Sequence, residues 1–119
     1  MTKRTKISLI LTSAQGRDLE LNRFLDGLSL QTTQRPISLY FVNQARKDLN
    51  FDFGKVKFKS IILKTKRLGL SAARNLALSG LTPGSDSNEI IGFPDDDCWY
   101  HASVLDSVIN YFESHPKVD

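Results

Sequence analysis

Short apolar runs that stop on small or polar residues, separated by stretches of helical periodicity, constrain this chain more than anything else in it. Residues 6–12, KISLILT, are apolar almost throughout and run out at Thr12 and Ser13. A run of that length with little alternation suits a strand covered on both faces, as in a parallel sheet. Residues 37–43, ISLYFVN, are a second such run. Residues 56–64, VKFKSIILK, contain a third after an alternating start, and residues 89–93, EIIGF, are a fourth. Between the first two, Leu21, Phe24, Leu25 and Leu28 recur at helical spacing across residues 17–30. Residues 69–80, GLSAARNLALSG, predict a short helix with Ser71 as N-cap and Gly80 as its stop, and residues 81–88 a loop of turn formers. Val104, Leu105, Val108, Ile109 and Phe112 mark a last helix over residues 102–114. Strands alternating with helices predict an α/β fold, a three-layer α/β/α sandwich on a mainly parallel sheet.

The chain has 119 residues, enough for a single domain with one core. Its 40% hydrophobic and 24% charged content is that of an ordinary globular protein rather than a disordered one. The net charge of +3 suits an anionic ligand, a nucleic acid or an acidic membrane surface and selects none of them. Cys98 is the sole cysteine, so no internal disulfide forms and a reducing compartment is expected. The basic start resembles a signal peptide only briefly, because the apolar run of residues 7–11 is shorter than the roughly 7–15 residues required. No segment approaches the ~20 apolar residues of a membrane helix. The expectation is a cytoplasmic protein without a transmembrane segment.

In a parallel sheet, ligands bind beyond the carboxyl ends of the strands. That rule brings together Thr12 and Ser13, Asn43 and Gln44, residues 64–67, and Asp95–Asp97 within the stretch GFPDDDCWY at residues 92–100. On an extended chain Asp95 and Asp97 share one side and Asp96 takes the other. Two carboxylates on one side make an oxygen site for Mg²⁺ or Mn²⁺, and the cation relieves their repulsion. A solvated acidic loop, or charge preceding the last helix, is the plainer alternative. Arg74 falls in the first turn of its short helix, where a cation is disfavoured unless an anion lies beside it. Its alternative is simple extension into solvent. Lys55, Lys57, Lys59, Lys64, Lys66 and Arg67 form a basic stretch that either is solvated or meets a diphosphate, and Gly69 allows close backbone approach by a ligand. Cys98 and His101 have a C-x-x-H spacing, but a zinc site needs a second pair, and nothing marks either histidine as a base for Cys98. Trp99 and Tyr100 either stack on a sugar or base, or pack against the sheet.

Together these pieces resemble the glycosyltransferase family 2 enzymes of the GT-A fold. The resemblance is carried by ISLILTS with LSLQTT after the first helix, then GLSAARNLAL, then EIIGFPDDDCWY, in that order and over nearly the whole chain. It implies a Rossmann-like, nucleotide-binding half that takes a nucleotide-diphosphate sugar with Mg²⁺ or Mn²⁺. Asp97 matches the main metal ligand of the DxD-type motif, with Asp95 beside it, and Asp95 and Asp96 match contacts to the ribose or nucleotide. Thr12 and Ser13 match the loop that borders the base, and Arg74 the arginine of the family's ARN element. Asn43, Arg67 and Gly69 complete the expected nucleotide side. The family usually carries an acidic pair after the second strand, one member of which reads uracil. Asn43 and Gln44 stand there instead, which leaves the base open.

The resemblance also places the acceptor site and general base after the last helix, whereas FESHPKVD ends where the next strand should begin. The expectation is a donor-binding half whose catalytic base lies beyond Asp119. This polypeptide alone should bind nucleotide weakly and transfer no sugar. The full-length enzyme would act on a saccharide or lipid-linked saccharide at the inner face of the membrane. Two alternatives remain from the residues themselves. One is a non-catalytic module for nucleotide sugars or nucleic acid. The other, ranked lower, is a nucleotidyltransferase, suggested by Gly84-Ser85 ahead of the aspartates.

Overall fold

The computed structural model describes residues 4–13, 18–44, 58–65, 69–81, 87–95 and 97–117. The elements in chain order are β1 (Arg4–Ser13), α1 (Asp18–Ser29), β2 (Ile37–Asn43), β3 (Lys59–Lys64), α2 (Leu70–Ser79), β4 (Ser87–Gly92) and α3 (Val104–Ser114). Among the described residues the sheet is four-stranded, in the order β3-β2-β1-β4, and every neighbouring pair is parallel.

Alternation along β1 sends Ile7, Leu9 and Leu11 to one face, where they meet the α1 stripe of Leu21, Phe24, Leu25 and Leu28 together with Leu105 and Ile109 of α3. Ile10 and Val42 point to the other face and pack on Ala73 and Ala77 of α2. Helices therefore cover both faces, and the three-layer α/β/α arrangement expected from the sequence is the one observed.

The strand order positions the site. From β1 the chain steps to β2 and then β3 on one side, and returns with β4 on the other side of β1. Pairing of β1 with β2 continues to Ser13, but pairing with β4 stops at Leu9 and Gly92. Beyond Gly92 come Phe93 and a buried Pro94, which has no N–H to offer a neighbour. In parallel sheets the ligand crevice lies where the strand order reverses, here between the end of β1 and the chain leaving β4.

Several local expectations change. Ser71 does not cap α2: the helix begins at Leu70 and its N-cap is Gly69, at φ 117 and ψ 136. Arg74 consequently lies in the second turn of α2, one step beyond the position where the helix dipole acts most strongly. Ser87 and Asn88 belong to β4 rather than to a loop, because β1 begins early enough to pair with them from Arg4 and Thr5. Gly80 does end α2, though with ordinary right-handed angles. Gly84, Ser85 and the first residues of the expected third strand, 56 and 57, lie outside the described residues.

Candidate functional site

The carboxyl ends of β1, β2 and β3 are tied to one another. The Gln44 N–H donates to the Ser13 carbonyl at 2.8 Å and the Thr65 N–H to the Asn43 carbonyl at 3.2 Å. Ser13 is 3% exposed and Asn43 4%, while Thr12 on the opposite face is half-buried. Gln44 reaches further, donating its Nε2 to the Gly69 carbonyl at 3.1 Å. That bond fixes the entry to α2 against the end of β2. Gly69 meets no atom within 4 Å of where a Cβ would stand, so its positive φ, not crowding, demands glycine there.

Arg74 does not simply extend into solvent. Its guanidinium carbon lies 5.1 Å from the centre of the Phe93 ring, on the chain that leaves β4. Its Nε is buried and, among the described residues, has no hydrogen-bond partner. A buried donor left unpaired is costly unless an acceptor outside the chain completes it.

The acidic stretch is a turn, not the extended chain expected. The Cys98 N–H donates to the Asp95 carbonyl at 3.5 Å, and the Cys98 thiol donates to the same oxygen at 3.0 Å. Alternation along an extended strand is therefore not what relates Asp95 to Asp97. Pro94 anchors one end of the turn, and Cys98 folds back over it. Asp95 and Asp97 are both exposed. Asp96, like Arg67, lies outside the described residues.

Burial pushes the Cys98 thiol up, and the charges of Asp95 and Asp97 push the same way against the lowering effect of its backbone hydrogen bond. A thiol held protonated is a poor nucleophile. Among the described residues no group of three His, Cys, Asp or Glu side chains is placed to hold a metal. Asp95 and Asp97 are hard oxygen donors, suited to Mg²⁺ or Mn²⁺ and not to zinc, and such ions commonly take their remaining oxygens from phosphates.

The aromatic pair after the aspartates divides. Tyr100 turns inward, 5.3 Å edge-to-face from Phe24, and burial raises its hydroxyl to about 12, with smaller contributions from Cys98 and Asp95. Trp99 stays 54% exposed, with the Arg23 guanidinium 5.0 Å from its ring centre. Lys59 and Lys64 are exposed on β3, an edge of the sheet, where lysines discourage pairing with another chain.

Three residues hold the chain that follows the turn; sequence reasoning quoted Gln31 and Thr32 within LSLQTT but gave them no role, and passed over Gly27. Gln31, 1% exposed, donates its Nε2 to the His101 carbonyl at 2.6 Å and accepts the Leu105 N–H on Oε1 at 3.0 Å. Thr32 donates its backbone N–H to the Ala102 carbonyl at 2.8 Å and its hydroxyl to Asp106 at 2.7 Å. Gly27 lies so close under Tyr100 that a Cβ there would stand 2.9 Å from the Tyr100 carbonyl oxygen. One signal was available. Gln31 continues the apolar stripe of Phe24 and Leu28, and a polar amide on such a stripe must find partners.

No family model matches the chain, and no curated protein matches it by sequence. Solved structures do match its fold. S. aureus TarS superposes with a TM-score of 0.74 at 18% identity, over 93% of this chain and 20% of the TarS chain. The 1–349 form of S. aureus TarS in complex with UDP gives 0.76 at 17% identity, over 93% of this chain and 33% of that one. The chain therefore spans only about one-fifth to one-third of the length of these structures. The likeness establishes a shared glycosyltransferase-like fold.

Proposed function

We propose that the crevice between β1 and β4 binds a nucleotide-diphosphate sugar, with a divalent cation held by Asp95 and Asp97. The chain would then be the donor-binding part of a family 2 glycosyltransferase. The observation that carries this reading is the strand-order reversal between β1 and β4, with Ser13 and Asn43 at the paired ends of β1 and β2, Gly69 tied to Gln44, Arg74 on the Phe93 ring, and Asp95 and Asp97 on the chain that leaves β4. The TarS complex supports it, because a protein of this fold takes UDP.

The chain's own residues divide the work. The ends of β1 and β2, with Thr12, Ser13 and Asn43, border the base and ribose. Asn43 presents an amide in place of a carboxylate and so recognises a base through neutral hydrogen bonds. The entry to α2 at Gly69 lets phosphates approach the first backbone N–H groups of the helix. Arg74 Nε supplies a donor to a phosphate or carbonyl oxygen. Asp95 and Asp97 hold Mg²⁺ or Mn²⁺, which when bound neutralises charge on the diphosphate leaving group. The sugar would go to a hydroxyl of a saccharide or lipid-linked saccharide, in cytoplasmic polysaccharide synthesis, with acceptor and general base contributed by residues outside this stretch.

Trp99 is the sole tryptophan and stands two residues after Asp97, so its emission reads the site directly. Adding UDP with MnCl₂ should quench it saturably, and UDP without Mn²⁺ should do so far less. Asp97→Ala should abolish the Mn²⁺-dependent part while its circular dichroism and melting temperature stay close to those of the parent. Undiminished Mn²⁺-dependent quenching in Asp97→Ala would overturn the reading.

A further inference from the structure

We propose that Gln31 is the positioning residue of the acidic turn, an inference that rests on the nucleotide-site reading above. Asp95 and Asp97 are exposed, and the chain that follows them is one determinant of their place. That chain is held from α1. Gln31 donates to the His101 carbonyl and accepts from the Leu105 N–H, so one amide closes the last loop residues and the first turn of α3 in a single grip. It also reaches its own helix, donating to the Gly27 carbonyl at 3.2 Å.

The start of α3 has no local substitute for this grip. Ser103 stands at its N-cap and makes no side-chain capping bond. The N–H of Leu105, which a capping side chain ordinarily satisfies, is satisfied instead by a residue 74 positions earlier in the chain. Tyr100 is seated by the same surface of α1, against Phe24 and over Gly27. The chain that follows Cys98 and Trp99 is thus held to α1 at two adjoining points, Tyr100 against Phe24 and Gly27, and His101 and Leu105 through Gln31.

Outer partners that orient metal ligands commonly change metal affinity when they are lost. Gln31 would therefore act on the cation through the turn, without touching it. Loss of Gln31 should let the turn drift and should weaken cation-dependent binding while sparing the part of nucleotide affinity that needs no metal.

The experiment uses the 119-residue chain, UDP and MnCl₂, read by Trp99 emission, with circular dichroism to establish folding. Gln31→Leu removes the whole grip. Gln31→Glu keeps an acceptor for the Leu105 N–H and loses the amide donor. Gln31→Leu should raise the Mn²⁺–UDP dissociation constant by roughly 10–100-fold, shift Trp99 emission in the absence of ligand, and leave metal-free UDP binding within a factor of about two of the parent. Gln31→Glu should fall between Gln31→Leu and the parent. A folded Gln31→Leu or Gln31→Glu with parental Mn²⁺–UDP affinity overturns the inference. So does failure of both variants to fold, which would make Gln31 a residue of the core and not of the turn. Absence of Mn²⁺-dependent binding in the parent chain is a different result: it removes the nucleotide-site reading itself, and the inference with it.

Discussion

The two faces of the sheet are built on different principles. On one, α1 and α3 bury large side chains against β1 and β2, among them Phe24, Leu25, Leu28, Phe41 and Ile109. The same face also holds the buried amide of Gln31 and the tie from Thr5 and Arg35 to Glu113. On the other, a ten-residue α2 lies on Ile10 and Val42 through two alanines, and leaves Leu70, Leu76, Ile91 and Phe93 exposed. The first face carries most of the apolar burial, which at about 25 cal/mol per Å² is the main stabilising term. The second brings backbone and Arg74 close to the crevice, because alanine allows a helix to approach a sheet that larger residues would hold off. Stability and ligand approach are thus assigned to opposite sides.

The comparison breaks most directly at Phe24. The side chain is fully buried and also meets Tyr100 edge-on, so Phe24→Ala leaves a cavity and frees the segment after the aspartates. The expected cost is ~3–5 kcal/mol, read as a fall in the urea midpoint with an unchanged m-value. A cost below ~1 kcal/mol would mean that this face does not carry the fold.

Gly69 tests the opposite side. Gly69→Ala meets no atom, so its penalty comes from backbone angles alone, about 1–3 kcal/mol. The effect on function should exceed the effect on stability. If the backbone relaxes, the carbonyl that receives Gln44 turns and the entry to α2 moves away from β2. Thermal melting and UDP titration on the same sample separate the two. A variant with parental binding and a lowered melting temperature would reduce Gly69 to a helix cap.

Much of this was legible in the sequence because it is local. Continuous apolar runs gave the strands, the Leu21-to-Leu28 spacing gave α1, and the rule for strand ends gathered Ser13, Asn43 and Asp95. What misled was local chemistry that tertiary structure overrode. Ser71 is a better N-cap by type than glycine, yet the turn into α2 needs a φ that only Gly69 adopts readily. Asp95 and Asp97 read as extended because they follow a strand, but the Cys98 hydrogen bonds turn the chain there. The role of Gln31, quoted only as part of LSLQTT, was least legible, since both of its long-range partners lie at least 70 residues away and are backbone groups.

The smallest effect belongs to the outer surface of α2. Leu76 is 39% exposed, and replacing it by a helix-compatible polar residue removes little that is buried. Leu76→Gln should therefore change stability by no more than about 0.5 kcal/mol. The value of so mild a substitution is that it separates two accounts of the exposed leucines. If α2 is merely thin, the melting temperature stays where it was and does not depend on protein concentration. If instead Leu70 and Leu76 are covered in solution by another copy of the chain, the parent should melt higher as concentration rises, and Leu76→Gln should abolish that dependence. Only the first outcome is consistent with a face that trades burial for access to the crevice.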